Sequence, residues 1–154
     1  MTSIEVIMHC SKSTWGNAVV IDEWHRHRDP PFLMIGYHMV FLNGKLRSNS
    51  KYEERLDGLM ETGRPYGVRG AHTLGQNYKI GWCFIGMSGR FTPRQIEAAK
   101  EELRYLATIY DIVKVTQHSD YDPVNKAFCA GCTKKDMMMF NQIGNGYGMM
   151  TRNV

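Results

Sequence analysis

Residues 79–86, Lys-Ile-Gly-Trp-Cys-Phe-Ile-Gly, form a nearly continuous apolar run bounded by glycines, and no other segment constrains the fold as strongly. A strand that is apolar at almost every position has no face to give to water. It belongs at the centre of a sheet covered on both sides. The neighbouring segments supply both the cover and the other strands. Phe91-Thr92-Pro93 has the form of a helix start, with Thr92 as N-cap, Pro93 at the first helical position and Gln95 as the far half of a capping box. Ile96, Ala99, Leu103, Leu106 and Ile109 or Tyr110 then make one apolar stripe.

The remaining elements follow from periodicity. Ile4 to His9 alternates as a strand, with His9 at its end. Val19 to Arg28 carries Val20, Ile21 and Trp24 at near-helical spacing and is stopped by Pro30 and Pro31. Gly36 to Leu42 reads as a second strand, Asn43-Gly44 as a tight hairpin turn, and Lys45 to Arg47 as its return. Residues 48–73 lack a period and read as a long working loop of the kind that walls a binding groove. Asp111 to Thr116 is a further short strand that delivers Gln117 and His118. This order describes a single-domain α/β fold with a mixed central β-sheet flanked by helices. The folded domain would span 1–136. Residues 137–154, rich in Met and Gly, would form a loosely packed C-terminal tail.

Composition narrows the function classes. The 154 residues are 43% hydrophobic and 22% charged, as in a soluble globular domain. No stretch approaches the roughly 20 apolar residues of a membrane span. Met1 to Met8 alternates instead of forming the apolar run of a signal peptide, so synthesis in the cytoplasm without a visible address is expected. A net charge of +4 mildly favours polyanionic partners. There is no base-reading motif, and nucleic acid is not an expected partner. In a reducing compartment the four cysteines serve burial or metal binding, with Cys10 and Cys83 in apolar runs as core.

The chemistry gathers at element ends. A catalytic zinc takes three protein ligands from His, Cys and carboxylates and leaves one position for water. His9, His118 and Cys129 would supply that set. The ion lowers the pKa of its water to about 7 and polarises a carbonyl, which makes an amide attackable at neutral pH. Lys126 could set an ammonium beside the developing oxyanion, and Tyr37 could donate its phenol or orient the water. By residue type alone, a solvated lysine and a packed tyrosine are the commoner outcomes.

Four segments, in order and spacing, resemble the zinc-dependent N-acetylmuramoyl-L-alanine amidases, whose fold is shared with peptidoglycan recognition proteins. They are Ile7-Met8-His9-Cys10-Ser11; Gly36-Tyr37-His38 before Asn43-Gly44; Gly70-Ala71-His72 running through Asn77 to Ile80-Gly81; and His118-Ser119-Asp120 through Pro123, Lys126 and Cys129. The likeness covers roughly residues 4 to 132 and is strongest to short single-domain amidase endolysins of tailed bacteriophages. It implies a peptidoglycan hydrolase that cuts the amide between N-acetylmuramic acid and L-alanine, with Zn2+ as cofactor and the muramyl stem peptide as partner. His9, His118 and Cys129 match the metal ligands. Tyr37 and Lys126 match the catalytic pair, and His72 matches a histidine lining the substrate groove. As an endolysin it would act as a monomer, made in the host cytoplasm and released to the periplasmic wall by a holin.

One segment departs from the family pattern. An extra residue separates Lys126 from Cys129, and alanine follows Cys129 where proline is usual. Cys132 therefore stands as a rival ligand, and Cys129-x-x-Cys132 could also be a redox pair or half of a closed structural zinc site. His25 and His27 read as solvated helix surface, and His38 as pointing away from the cleft that Tyr37 faces. Other functional readings are a cytoplasmic amidase recycling soluble anhydro-muropeptides and a non-catalytic peptidoglycan-binding module.

Overall fold

The computed structural model describes residues 1–145. Five strands form one mixed sheet. They are β1 (Ser3–Cys10), β2 (Met39–Asn43), β3 (Asp57–Thr62), β4 (Ile80–Phe84) and β5 (Asp111–Gln117), in the order β3-β2-β4-β1-β5. β2, β4, β1 and β5 run parallel, and β3 pairs antiparallel with β2. The helices are α1 (Ala18–Arg26), α2 (Pro93–Leu106), α3 (His118–Tyr121) and α4 (Lys134–Gly144). The α/β fold with a mixed sheet is as the sequence predicts.

The apolar run becomes β4, buried along its whole length. Its side chains alternate between two cores. On one face Trp82 and Phe84 join Val6, Met8 and Phe41 beneath α2 and α4, which contribute Ala99, Leu103, Leu106 and Phe140. On the other, Cys83 packs with Ile21 of α1, Ile35, Val40 and Ile85. Register places His9 beside Cys83 and Cys83 beside Val40, so His9 stands on the smaller-core face.

α2 begins as its sequence requires, with both halves of the Thr92–Gln95 capping box formed. Gln95 is fully buried, and its amide also donates to Phe41 O at 2.9 Å and Ile85 O at 2.8 Å, tying the helix start to the ends of two strands. The helix ends at Leu106, so Ile109 and Tyr110 lie beyond it and Ile109 is exposed. α1 is capped by the Asn17 side chain, which accepts from Val20 N.

Four expectations are corrected. Lys45 to Arg47 is not the return strand. Asn43 and Gly44 do turn the chain, with the Asn43 carboxamide accepting from Lys45 N, but a loop intervenes that closes where Glu53 N donates to Gly44 O. The partner of β2 is β3, which lies inside the span read as one long loop. β3 is an edge strand with Leu59, Met60 and Thr62 exposed, so its sequence has no burial alternation to display. The second strand begins at Met39, not Gly36, although Gly36 and His38 still bond to Ala71, Gly81 and Gly63 as extended backbone.

The fourth correction concerns the tail. Residues 134–144 form α4, capped by Thr133, with Phe140 and Ile143 buried against the main core. The boundary drawn after residue 136 falls inside this helix. Three consecutive methionines, all apolar, hide its helical period. The rest of the tail, 146–154, lies outside the described residues. Among the described residues no helix is long and apolar enough to cross a membrane.

Candidate metal centre

Parallel pairing sets the site. Met8 is in register with Gln117, so the next residues, His9 and His118, leave β1 and β5 side by side. His9 is 1% exposed. His118 opens α3, a single turn held by reciprocal bonds between Gln117 and Asp120. The following loop then returns Cys129. Lys126 N donates to Asp122 O, Cys129 N to Lys126 O, and Ser119 N to Cys129 O at 2.7 Å. The extra residue between Lys126 and Cys129 is thus absorbed in a hydrogen-bonded turn.

The outcome is a buried convergence of two nitrogens and a sulfur. His9 Nδ1 lies 3.1 Å from His118 Nδ1 and 3.9 Å from Cys129 Sγ, and the three ligand atoms all fall within 4.8 Å of one another. Two nitrogens each bound about 2.0–2.1 Å from a tetrahedral zinc stand roughly 3.3 Å apart, so both the donor types and the spacing fit that ion. Among the described residues the group has these three members. Cys132 is outside it. Its backbone N–H and C=O are engaged by the Gln117 carboxamide, and burial pushes its thiol up to about 12.

Electrostatics favour neutral imidazoles with free lone pairs. Burial, then the neighbouring His72, His118 and Lys126, hold His9 well below the usual histidine range. Burial and the Lys126 charge take His118 to about 4. The Cys129 thiol is held up by its hydrogen bond with the Cys10 thiol and by burial, while Cys10 N donates to Cys129 Sγ at 3.4 Å. A metal taking Cys129 as thiolate would therefore release a proton.

Tyr37 and Lys126 both border this cluster. The Tyr37 ring lies 5.0 Å from the His9 ring, and its phenol is held protonated, far above the usual tyrosine range, first by burial. Lys126 is half-buried, and its charge bears on both imidazoles. His38 is structural, as its alternation with Tyr37 along extended backbone predicts. Its Nε2 donates to Val68 O at 2.7 Å and its Nδ1 accepts from Gly81 N at 3.0 Å.

One histidine differs from its sequence reading, and His72 is more enclosed than a groove-lining position implies. His72 is 9% exposed, its Nε2 lies 2.9 Å from Lys79 O, and its Nδ1 lies 3.1 Å from His9 Nε2 and 2.9 Å from Thr73 Oγ1. His25 is not solvated surface. Its Nδ1 accepts from Gly36 N at 2.8 Å, its ring packs between Phe32 and Tyr37, and burial takes it to about 4. It sits one turn after the buried Ile21, on the same helix face, and that spacing was the available signal. Thr73, 3% exposed and 3.2 Å from His9 Nε2, carried no sequence signal of its own.

No protein-family model and no curated protein matches the chain. Solved structures do. The N-acetylmuramoyl-L-alanine amidase LysC from Clostridium intestinale superposes with a TM-score of 0.67 at 24% identity, over 85% of this chain and 78% of that one. The Drosophila peptidoglycan recognition protein LB gives 0.64 at 21%, over 84% and 75%. A human peptidoglycan recognition protein, solved in complex with glycosamyl muramyl pentapeptide, gives 0.60 at 18%, over 79% and 74%. The chain has the fold of the amidases and peptidoglycan recognition proteins.

Proposed function

We propose that this chain, carrying that fold, is a zinc-dependent N-acetylmuramoyl-L-alanine amidase: a peptidoglycan hydrolase of the endolysin type that cleaves the amide between the muramic acid lactyl group and L-alanine. One observation carries the reading. His9, His118 and Cys129 converge as three ligand atoms within 4.8 Å at the strand ends of a fold found in amidases. Three protein ligands are the number a catalytic zinc uses.

These residues would hold the ion, which when bound lowers the pKa of water to about 7 and polarises a carbonyl. The chain's own groups do the rest. Tyr37, kept protonated by burial, presents an O–H to the substrate oxygen that becomes negative. Lys126 adds an ammonium on the same side as the ligand loop. Burial of His9 and Cys129 limits water to the site mouth and strengthens each interaction there.

The partner is the muramyl stem peptide of the wall. A net charge of +4 suits an anionic polymer. The enzyme works as a monomer, accumulating in the host cytoplasm and reaching the wall through a holin-type lesion. Clearing of outer-membrane-permeabilised cells by the zinc-loaded chain, abolished by chelator, tests this. Binding to sacculi without clearing would make it a recognition module. Cleavage of soluble anhydro-muropeptides alone would make it a recycling amidase.

A further inference from the structure

The face of His9 turned away from the metal-ligand cluster meets a second, wholly buried set of groups. His9 Nδ1 points at His118 and Cys129, while its Nε2 lies 3.1 Å from His72 Nδ1 and 3.2 Å from Thr73 Oγ1. His72 Nε2 lies 2.9 Å from the Lys79 carbonyl. A carbonyl can only accept, so in a neutral ring His72 Nε2 carries the proton and His72 Nδ1 is bare. That bare nitrogen can only accept. It takes its hydrogen bond from His9 Nε2–H, from the Thr73 hydroxyl, or from both. Thr73, in turn, can receive the His9 proton while giving its own to His72.

We propose that His72 is a positioning residue: the Lys79 carbonyl fixes its tautomer, and it in turn fixes His9 as the Nε2-protonated form with Nδ1 free for a metal. The inference rests on the zinc reading for its purpose, though not for its geometry. A histidine ligand whose other nitrogen is hydrogen-bonded is held in ring orientation as well as tautomer, and losing such a partner typically weakens metal binding by about 10–100-fold.

The surroundings hold His72 in place. Asn77 Oδ1 accepts from both His72 N (2.7 Å) and Thr73 N (2.8 Å), clamping the backbone of the pair. Lys79 is anchored by its ammonium to Glu5 (2.8 Å) and Tyr121 (3.0 Å). Gly81 and Gly70 leave room for the ring. A Cβ at Gly81 would come within 2.5 Å of His72 Cγ, and one at Gly70 within 2.6 Å of its Cδ2. This gives a physical account of the His72-to-Gly81 segment: the histidine, the asparagine that clamps it and the glycine that admits it form one device.

The test uses the full chain. Nitrogen-15 imidazole spectra of the metal-free protein at neutral pH should show His72 and His9 both protonated on Nε2. A His9 protonated on Nδ1, with bare Nε2, would overturn the proposal. Zinc affinity, measured by competition with a chromophoric chelator, should fall about 10–100-fold in His72→Phe, recover substantially in His72→Gln, which keeps an acceptor, and fall again in Gly81→Ala, which pushes His72 aside. Wild-type affinity in a folded His72→Phe would also overturn it. Should the wild-type chain take no zinc, the functional reading fails, and the tautomers of the metal-free protein decide this inference alone.

Discussion

His9 Nδ1 and His118 Nδ1 face each other at 3.1 Å, although 109 residues separate them in sequence. The juxtaposition is a product of register. β1 and β5 are adjacent and parallel, and Met8 pairs with Gln117, so both strands deliver a histidine at the same level. Cys129 completes the group because Lys126, Ser119 and Cys10 each bond to its backbone or sulfur.

This geometry separates the two loop cysteines. Cys129→Ser should lose zinc by more than the roughly 10–100-fold that removing a hydrogen-bonded partner of a ligand costs. Cys132→Ser should bind zinc as the wild type does and stay folded. Chelator competition and circular dichroism on both variants check this.

Tyr37 and Lys126 border the candidate ligands and are proposed as donors. Tyr37→Phe and Lys126→Met should each lower kcat on muropeptides by about 10²–10³-fold, the usual loss for an oxyanion donor, with zinc content unchanged. Steady-state kinetics alongside metal analysis distinguishes this from loss of the ion.

Acid should destabilise the metal-free fold through its buried histidines. His25 sits at about 4 in the folded chain against an ordinary 6.5. Between those values the unfolded chain binds the proton and the folded chain does not, so the contribution of His25 to stability is complete above about pH 6.5 and is lost as pH falls towards 4. His72 and His118 act in the same window. Urea midpoints should therefore drop between pH 7 and pH 4.5, and drop less in His25→Gln, which keeps an acceptor for Gly36 N but does not titrate.

Gln95 ties α2 to β2 and β4 through two buried carbonyls. Gln95→Ala takes the donor from the Ile85 carbonyl, leaves Phe41 O with its remaining bond from Ile85 N, and opens a small cavity, so it should cost about 2 kcal/mol in urea unfolding, with zinc binding retained.

What was legible in the sequence follows from how locally each feature is determined. β4 and the α2 start are specified by their own residues, an apolar run and a capping box, and both form as expected. β3 was hidden because an edge strand with mostly exposed side chains has no burial pattern, and α4 because three adjacent methionines mask its period. In the site, His9, His118 and Cys129 could be read as zinc-ligand types at element ends, and the fold brings them together. The surroundings of His25 and His72 were not legible for one shared reason: what each ring touches is set by a distant backbone group, Gly36 N or Lys79 O, and by packing that only the tertiary fold creates.

Analysis of the bond cut in purified sacculi tests the central claim most directly. The zinc-loaded chain should release stem peptides with a new free amino group on L-alanine and leave glycan strands without new reducing ends, and chelation should stop the release. New reducing ends, or an unchanged product pattern with zinc bound, would contradict the account.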